Sequence, residues 1–155
     1  MEKINFVSAH NETGKDLFNQ GDIERATFYF LKAMEEGDSA ESLFYLGLIQ
    51  NQNGNFRDAL SYYYRAILLN PDYGNPCNEI GVILLRHGRE REAVFWLKRS
   101  VRCSFNDAPH IPLYNLATLY KMWNRPERSL QYLHKALELA PNFLEAIELR
   151  NQLLS

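Results

Sequence analysis

Three series of small residues run through this 155-residue chain in step with one another. Gly14, Gly47, Gly81 and Ala117 stand 33, 34 and 36 residues apart, and Ala26, Ala59, Ala93 and Ser129 keep the same frame. So do Ala33, Ala66, Ser100 and Ala136. Gly, Ala and Ser fill 28 of the 155 positions, so twelve framed matches have a chance probability on the order of 10⁻⁹. The chain is a fourfold repeat, and each unit must bury its apolar face against its neighbours.

Seven residues after the first small position comes Gly21, Gly54, Gly88 or Asn124, residues that tolerate the left-handed conformation ending a helix. The segments that follow have helical apolar spacing, as in Phe56, Ala59, Leu60, Tyr63, Ala66 and Ile67. Every unit is therefore predicted as helix, tight turn, helix. Small residues are needed where two helices cross closely, and Phe30, Tyr63, Leu97 and Leu133, one turn after the second small position, fill the space around them. Pro76 and Pro112 sit where a first-turn proline loses no helical hydrogen bond. Residues 142–155 form a last amphipathic helix with Phe143, Leu144, Ile147, Leu149 and Leu153, suited to capping the array. Nine helices are expected, with an inserted loop at 106–110.

Composition sets the outer limits. At 46% apolar and 23% charged residues the chain is neither disordered nor collagen-like, and no apolar run approaches the roughly 18 residues of a membrane span. Residues 1–6 lack a basic head followed by an apolar stretch, so no secretory signal is expected and the cytoplasm is the expected location. Cys77 and Cys103 are too few for a disulfide scaffold and are expected to be reduced core thiols. The net charge of −2 divides into −6 over residues 1–79 and +4 over 80–155. An acidic total argues against a dedicated nucleic-acid binder, while opposite halves allow salt-sensitive self-association.

The chemistry-bearing residues are sparse. His10, His87, His110 and His134 have no second ligand at metal-site spacing, and no glycine loop for phosphate is present. Glu35 with Glu36, and Glu90 with Glu92, are expected on solvated helix faces rather than as acid/base pairs. No enzyme, no metal and no cofactor are expected.

The repeat has a family likeness. Repeat 2 reads Leu43, Leu46-Gly47, Gly54, Ala59, Tyr63, Ala66 and Pro71; repeat 4 reads Leu113, Leu116-Ala117, Tyr120, Ser129, Leu133, Ala136 and Pro141. This resembles the tetratricopeptide repeat. The frame gives repeats at 7–39, 40–73, 74–109 with the inserted loop, and 110–143, then the cap, all within one domain of residues 1–155. His10, Thr13, Asp38, Gln50 and Phe105 depart from the family pattern. The resemblance implies an all-α fold, a right-handed α-solenoid of antiparallel helix pairs whose first helices line a concave groove for a peptide.

Carried onto this sequence, the family's groove positions fall on Asn11, Glu12, Lys15 and Asn19 in repeat 1, and on Phe44, Tyr45, Leu48 and Gln52 in repeat 2. They fall on Asn78, Glu79, Val82 and Arg86 in repeat 3, and on Tyr114, Asn115, Thr118 and Met122 in repeat 4. Tyr45, Leu48, Val82, Tyr114 and Met122 make an apolar middle for an amphipathic helix or extended segment, with Asn78 and Asn115 to bond its backbone. For Phe44, Tyr45 and Tyr114, packing between repeats is the other reading. The carboxylate clamp that some family members use for chaperone tails is missing: its positions hold Asn11, Lys15, Tyr45, Asn75 and Glu79.

Arg89, Arg91, Lys98, Arg99 and Arg102 fall mostly on a second helix, as a solvated outer surface or a contact for an acidic partner. Tyr29, Tyr62, Trp96 and Tyr132 recur at one repeat position and are read as structural rather than as a stacking platform for nucleic acid. The function expected is a non-enzymatic adaptor that holds a peptide or helix of another protein. A small chaperone for an aggregation-prone client, or a self-assembling subunit, is the alternative.

Overall fold

Asn5, Asp22 and Ser39 each open a helix with a side-chain oxygen that accepts an amide proton three residues on, from Ser8 at 3.2 Å, Arg25 at 3.2 Å and Ser42 at 3.0 Å. The computed structural model describes residues 5–155. Met1 to Ile4, most of the segment read as lacking a secretory signal, lie outside the described residues. Nine helices follow among the described residues: α1 (Phe6–Asn19), α2 (Ile23–Glu36), α3 (Ala40–Gln52), α4 (Phe56–Leu69), α5 (Gly74–Arg86), α6 (Glu90–Arg102), α7 (His110–Met122), α8 (Pro126–Leu139) and α9 (Leu144–Leu154). None of them is long and apolar enough to cross a membrane.

The breaker residues do what their chemistry predicts. Gly21, Gly54, Gly88 and Asn124 have φ of 82°, 78°, 71° and 53°. The next-but-zero residue then donates its amide back into the preceding helix: Asp22 to Leu17, Asn55 to Gln50, Arg89 to Leu84 and Arg125 to Tyr120, each at 2.9 Å. Four pairs therefore close with one turn geometry.

The helices gather into two compact units that part between Pro71 and Asp72, two residues before the predicted start of repeat 3. In the first unit α1 packs along α2, α3 along α4, and α2 against α3. Leu17, Ala26, Phe30, Leu46 and Ile49 form its core cluster, with the Phe30 ring stacked on Tyr45 at 4.9 Å. A Cβ at position 14 would stand 2.7 Å from that ring, so Gly14 is what admits it; Gly47 does the same for the ring of Tyr63.

In the second unit α5 pairs with α6, α7 with α8, and α9 packs on α8. Here leucines replace the rings: a Cβ at Gly81 would meet Leu97 at 2.8 Å, and repeat 4 carries Ala117 opposite Leu133. Ser100 and Ser129, which stand where other repeats have alanine, are buried with their hydroxyls donating to the carbonyls of Gly74 at 2.8 Å and Ala117 at 2.7 Å. Left unpaired, each hydroxyl would cost about 1–3 kcal/mol. Ala146 and Leu149 of α9 share one buried cluster with Ala117 and Leu133.

The inserted loop is pinned at both ends. Gly74 donates to the Phe105 carbonyl at 2.7 Å, Ser104 to the Asp72 carboxylate at 2.9 Å and Asp107 to the Asn75 side chain at 3.0 Å. Where the loop leaves α6 stands Cys103, which is only half-buried and so is not the core thiol expected. Cys77 is fully buried, and burial pushes its thiol up to about 12.

Candidate protein-interaction surface

The groove positions of the first unit divide by how much the fold already asks of them. Asn11 is 4% exposed; its amide donates to the Ser39 hydroxyl at 2.9 Å and its carbonyl accepts from Ser42. Expected to face a ligand, it instead ties α1 to the start of α3, drawn in by the hydroxyl of the helix cap. Lys15 is shared between Glu12 at 2.6 Å and Glu41 at 2.9 Å. Burial opposes its charge, but the two carboxylates outweigh burial and hold the ammonium above the usual lysine range. Phe44 is core, and Tyr45 is half-buried between Phe30, Phe18 and Phe44. Packing therefore claims both rings. Leu48, one turn beyond them, is left half-buried, while Glu12, Asn19 and Gln52 are exposed.

In the second unit the two asparagines expected to bond a peptide bond each other. Asn115 Nδ2 donates to Asn78 Oδ1 at 2.9 Å, and Asn78 Nδ2 donates to Glu79 Oε1 at 3.1 Å. Burial pushes the Glu79 carboxyl above the usual carboxylate range, against the opposing pull of the Asn78 amide and the Arg86 guanidinium. Val82 is half-buried, and Arg86 and Met122 are exposed, Met122 to 63%. The Tyr114 ring rests edge-on against Phe143 at 5.1 Å, and Thr118 donates to the Tyr114 carbonyl at 3.1 Å.

A cavity of about 220 Å³ opens beside Tyr114 and Thr118, walled by Lys121 of α7 and by Glu145, Glu148, Leu149 and Gln152 of α9. Sequence reasoning treated α9 as a cap and missed this wall. The signal was there, since Glu145, Glu148, Leu149 and Gln152 follow at i, i+3, i+4 and i+7, one face of a helix.

The raised Glu79 carboxyl has a measurable sign. A group whose folded range lies above its unfolded one costs nothing while protonated in both states, and destabilises increasingly as pH rises through the folded range. Glu79→Gln is expected to melt higher than the wild type at about pH 7, with the difference vanishing near pH 4; thermal denaturation across that range checks it.

The basic group of repeat 3 is less free than its sequence implies. Arg91 and Arg102 are exposed, Lys98 and Arg99 are half-buried, Arg89 pairs with Glu92 at 2.6 Å and Arg99 lies 5.4 Å over the Trp96 ring. Glu90, expected on a solvated face, accepts the Trp123 indole proton. Tyr29, Tyr62, Trp96 and Tyr132 are all half-buried, and Arg65 and Lys135 lie over Tyr62 and Tyr132. Among the described residues no three His, Cys, Asp or Glu side chains stand together as a metal site.

Residues 40–73 match the family model of the tetratricopeptide repeat. The structure superposes on that of PilF from Pseudomonas aeruginosa with a TM-score of 0.85 at 21% identity, over 96% of this chain and 68% of PilF. It superposes on YrrB, described as a TPR protein with an unusual peptide-binding site, with a TM-score of 0.67 at 21% identity, over 94% of this chain and 74% of YrrB.

The chain has the tetratricopeptide repeat fold.

A third TPR likeness is PilW, described as a widely conserved type IV pilus biogenesis factor: TM-score 0.77, 17% identity, 90% of this chain and 64% of PilW. Residues 59–135 also match the model of the Est1 DNA/RNA binding domain. No curated protein matches the chain by sequence. These matches bear out the likeness to tetratricopeptide repeat proteins and the all-α solenoid class expected from the repeat. TPR arrays are protein-interaction scaffolds and are generally non-catalytic.

Proposed function

We propose that this TPR chain is a non-enzymatic scaffold that takes a peptide or amphipathic helix of another protein on the first helices of its repeats. One observation carries the reading: Leu48, Val82 and Met122 remain half-buried or exposed on those helices, although large aliphatic residues there add little to either core. An apolar partner side chain is what would cover them. Lys15 and Tyr45 in the first unit, and Arg86, Tyr114, Asn115 and Thr118 in the second, are the further candidates; Asn11 is withdrawn from them by its buried hydrogen bonds. Affinity capture with the wild type, Leu48→Glu and Arg91→Glu tests the reading: partners are expected to be lost with the first variant and kept with the second. The reverse pattern would move the surface to α6.

The Est1 match favours a second reading, contact with nucleic acid, because residues 59–135 carry 11 basic and 6 acidic side chains. A protein-only scaffold predicts no binding of labelled single-stranded RNA or DNA at low salt. Binding that weakens as salt rises and disappears in Arg91→Glu/Arg102→Glu would replace it. Self-association through the oppositely charged halves is checked by sizing the protein as salt is raised, since charge-driven dimers dissociate under screening.

A further inference from the structure

The second unit holds a carboxylate that its fold does not need. Glu79 lies half-buried on the first-helix face of α5 and receives one hydrogen bond, from an Asn78 amide that Asn115 of α7 holds in place. It forms no ion pair among the described residues, and Arg86, two turns along α5, acts on it only through space. A half-buried carboxylate without a cation is partly desolvated, and glutamine would meet the same amide at lower cost. On the same face, between α7 and α9, the cavity beside Tyr114 and Thr118 presents Glu145 and Glu148. Its rim cation, Lys121, is already committed to Gln152 at 2.9 Å. Both places thus offer negative charge beside apolar surface, within a part of the chain whose total charge is positive.

We propose that the first-helix face of the second unit selects a basic segment of its partner protein. A Lys or Arg side chain of an extended peptide enters beside Glu79 between α5 and α7, and a second basic residue seats against Glu145 and Glu148 in the cavity between α7 and α9. The first contact supplies the charge-assisted partner that the fold leaves out, and the aliphatic stem of the basic residue lies along Val82, one turn from Glu79. Tyr114 and Thr118 lie between the two positions and shape the path of the peptide. This inference rests on the reading that the face binds protein, and narrows it to a class of partner.

An arrayed library of random-sequence peptides, probed with labelled wild type, Glu79→Gln and Val82→Ser/Met122→Ser, tests it. Each variant is first shown to fold by circular dichroism. The wild type is expected to select peptides enriched at least about threefold in Lys and Arg over Asp and Glu. Glu79→Gln should reduce that enrichment, with Glu145 and Glu148 keeping part of it, while still binding neutral peptides, and the double variant should bind few peptides of any kind. Selection without a basic bias, or a bias undiminished in Glu79→Gln, overturns the inference while the scaffold reading stands. No selection by the wild type, or selection unchanged in the double variant, overturns both.

Discussion

Phe30→Ala is expected to destabilise the first unit by about 3–5 kcal/mol, read by chemical denaturation. The ring is fully buried, stacks on Tyr45 and occupies the space that a Cβ at position 14 would fill. Removing it opens a cavity at the crossing of α1 and α2 that a glycine cannot fill from the other side. Phe30→Leu should cost much less, about 1–2 kcal/mol, because Leu97 and Leu133 already serve this position in repeats 3 and 4. The same comparison predicts a coupling. Gly14→Ala should cost about 1–3 kcal/mol in the wild type through overpacking against the ring, and distinctly less in the Phe30→Leu background, which reproduces the Ala117–Leu133 pair. Equal costs in the two backgrounds would mean that the glycine does not accommodate the ring.

The second large effect is on binding. Leu48→Glu is expected to weaken a partner's affinity by about a hundredfold or more, because a carboxylate desolvated against an apolar partner surface costs several kcal/mol. Helix content should change little, since Leu48 is half-buried and stands outside the core cluster of its unit. Tyr114→Ala, which the repeat frame alone offers as an equally clean disruption, is not one. Tyr114 packs on Phe143 and borders the cluster of Ala117, Leu133, Ala146 and Leu149, so its removal also loosens α9.

That difference marks what a repeat makes legible in a sequence. The frame of small residues located all four helix pairs, the left-handed breakers and the ring or leucine opposite each glycine, because backbone crossings tolerate few alternatives. The same frame carries over the family's groove positions, but not which of them the fold consumes. Asn11 could be placed on the right helix by counting, yet its partners Ser39 and Ser42 lie beyond α2 at the start of α3, and a helix cap with a spare hydroxyl recruits a buried amide. Asn78 and Asn115 were paired by the approach of α5 and α7, which no spacing within one repeat reveals. The wall that α9 lends to the cavity was readable from its own periodicity, and was hidden by its role as a cap. Aliphatic Leu48, Val82 and Met122 are the candidates that the fold claims least, since apolar side chains have no hydrogen bonds for it to use.

Site-specific photo-crosslinking tests the central claim most directly. A photoreactive residue is placed singly at positions 48, 82 and 122 on the first helices, and at 91 and 102 on α6, and the cross-linked species are identified after irradiation in native extract. The account predicts one protein partner cross-linked from the first-helix positions and not from α6. Cross-links from positions 91 and 102 alone, or to nucleic acid rather than protein, would contradict it.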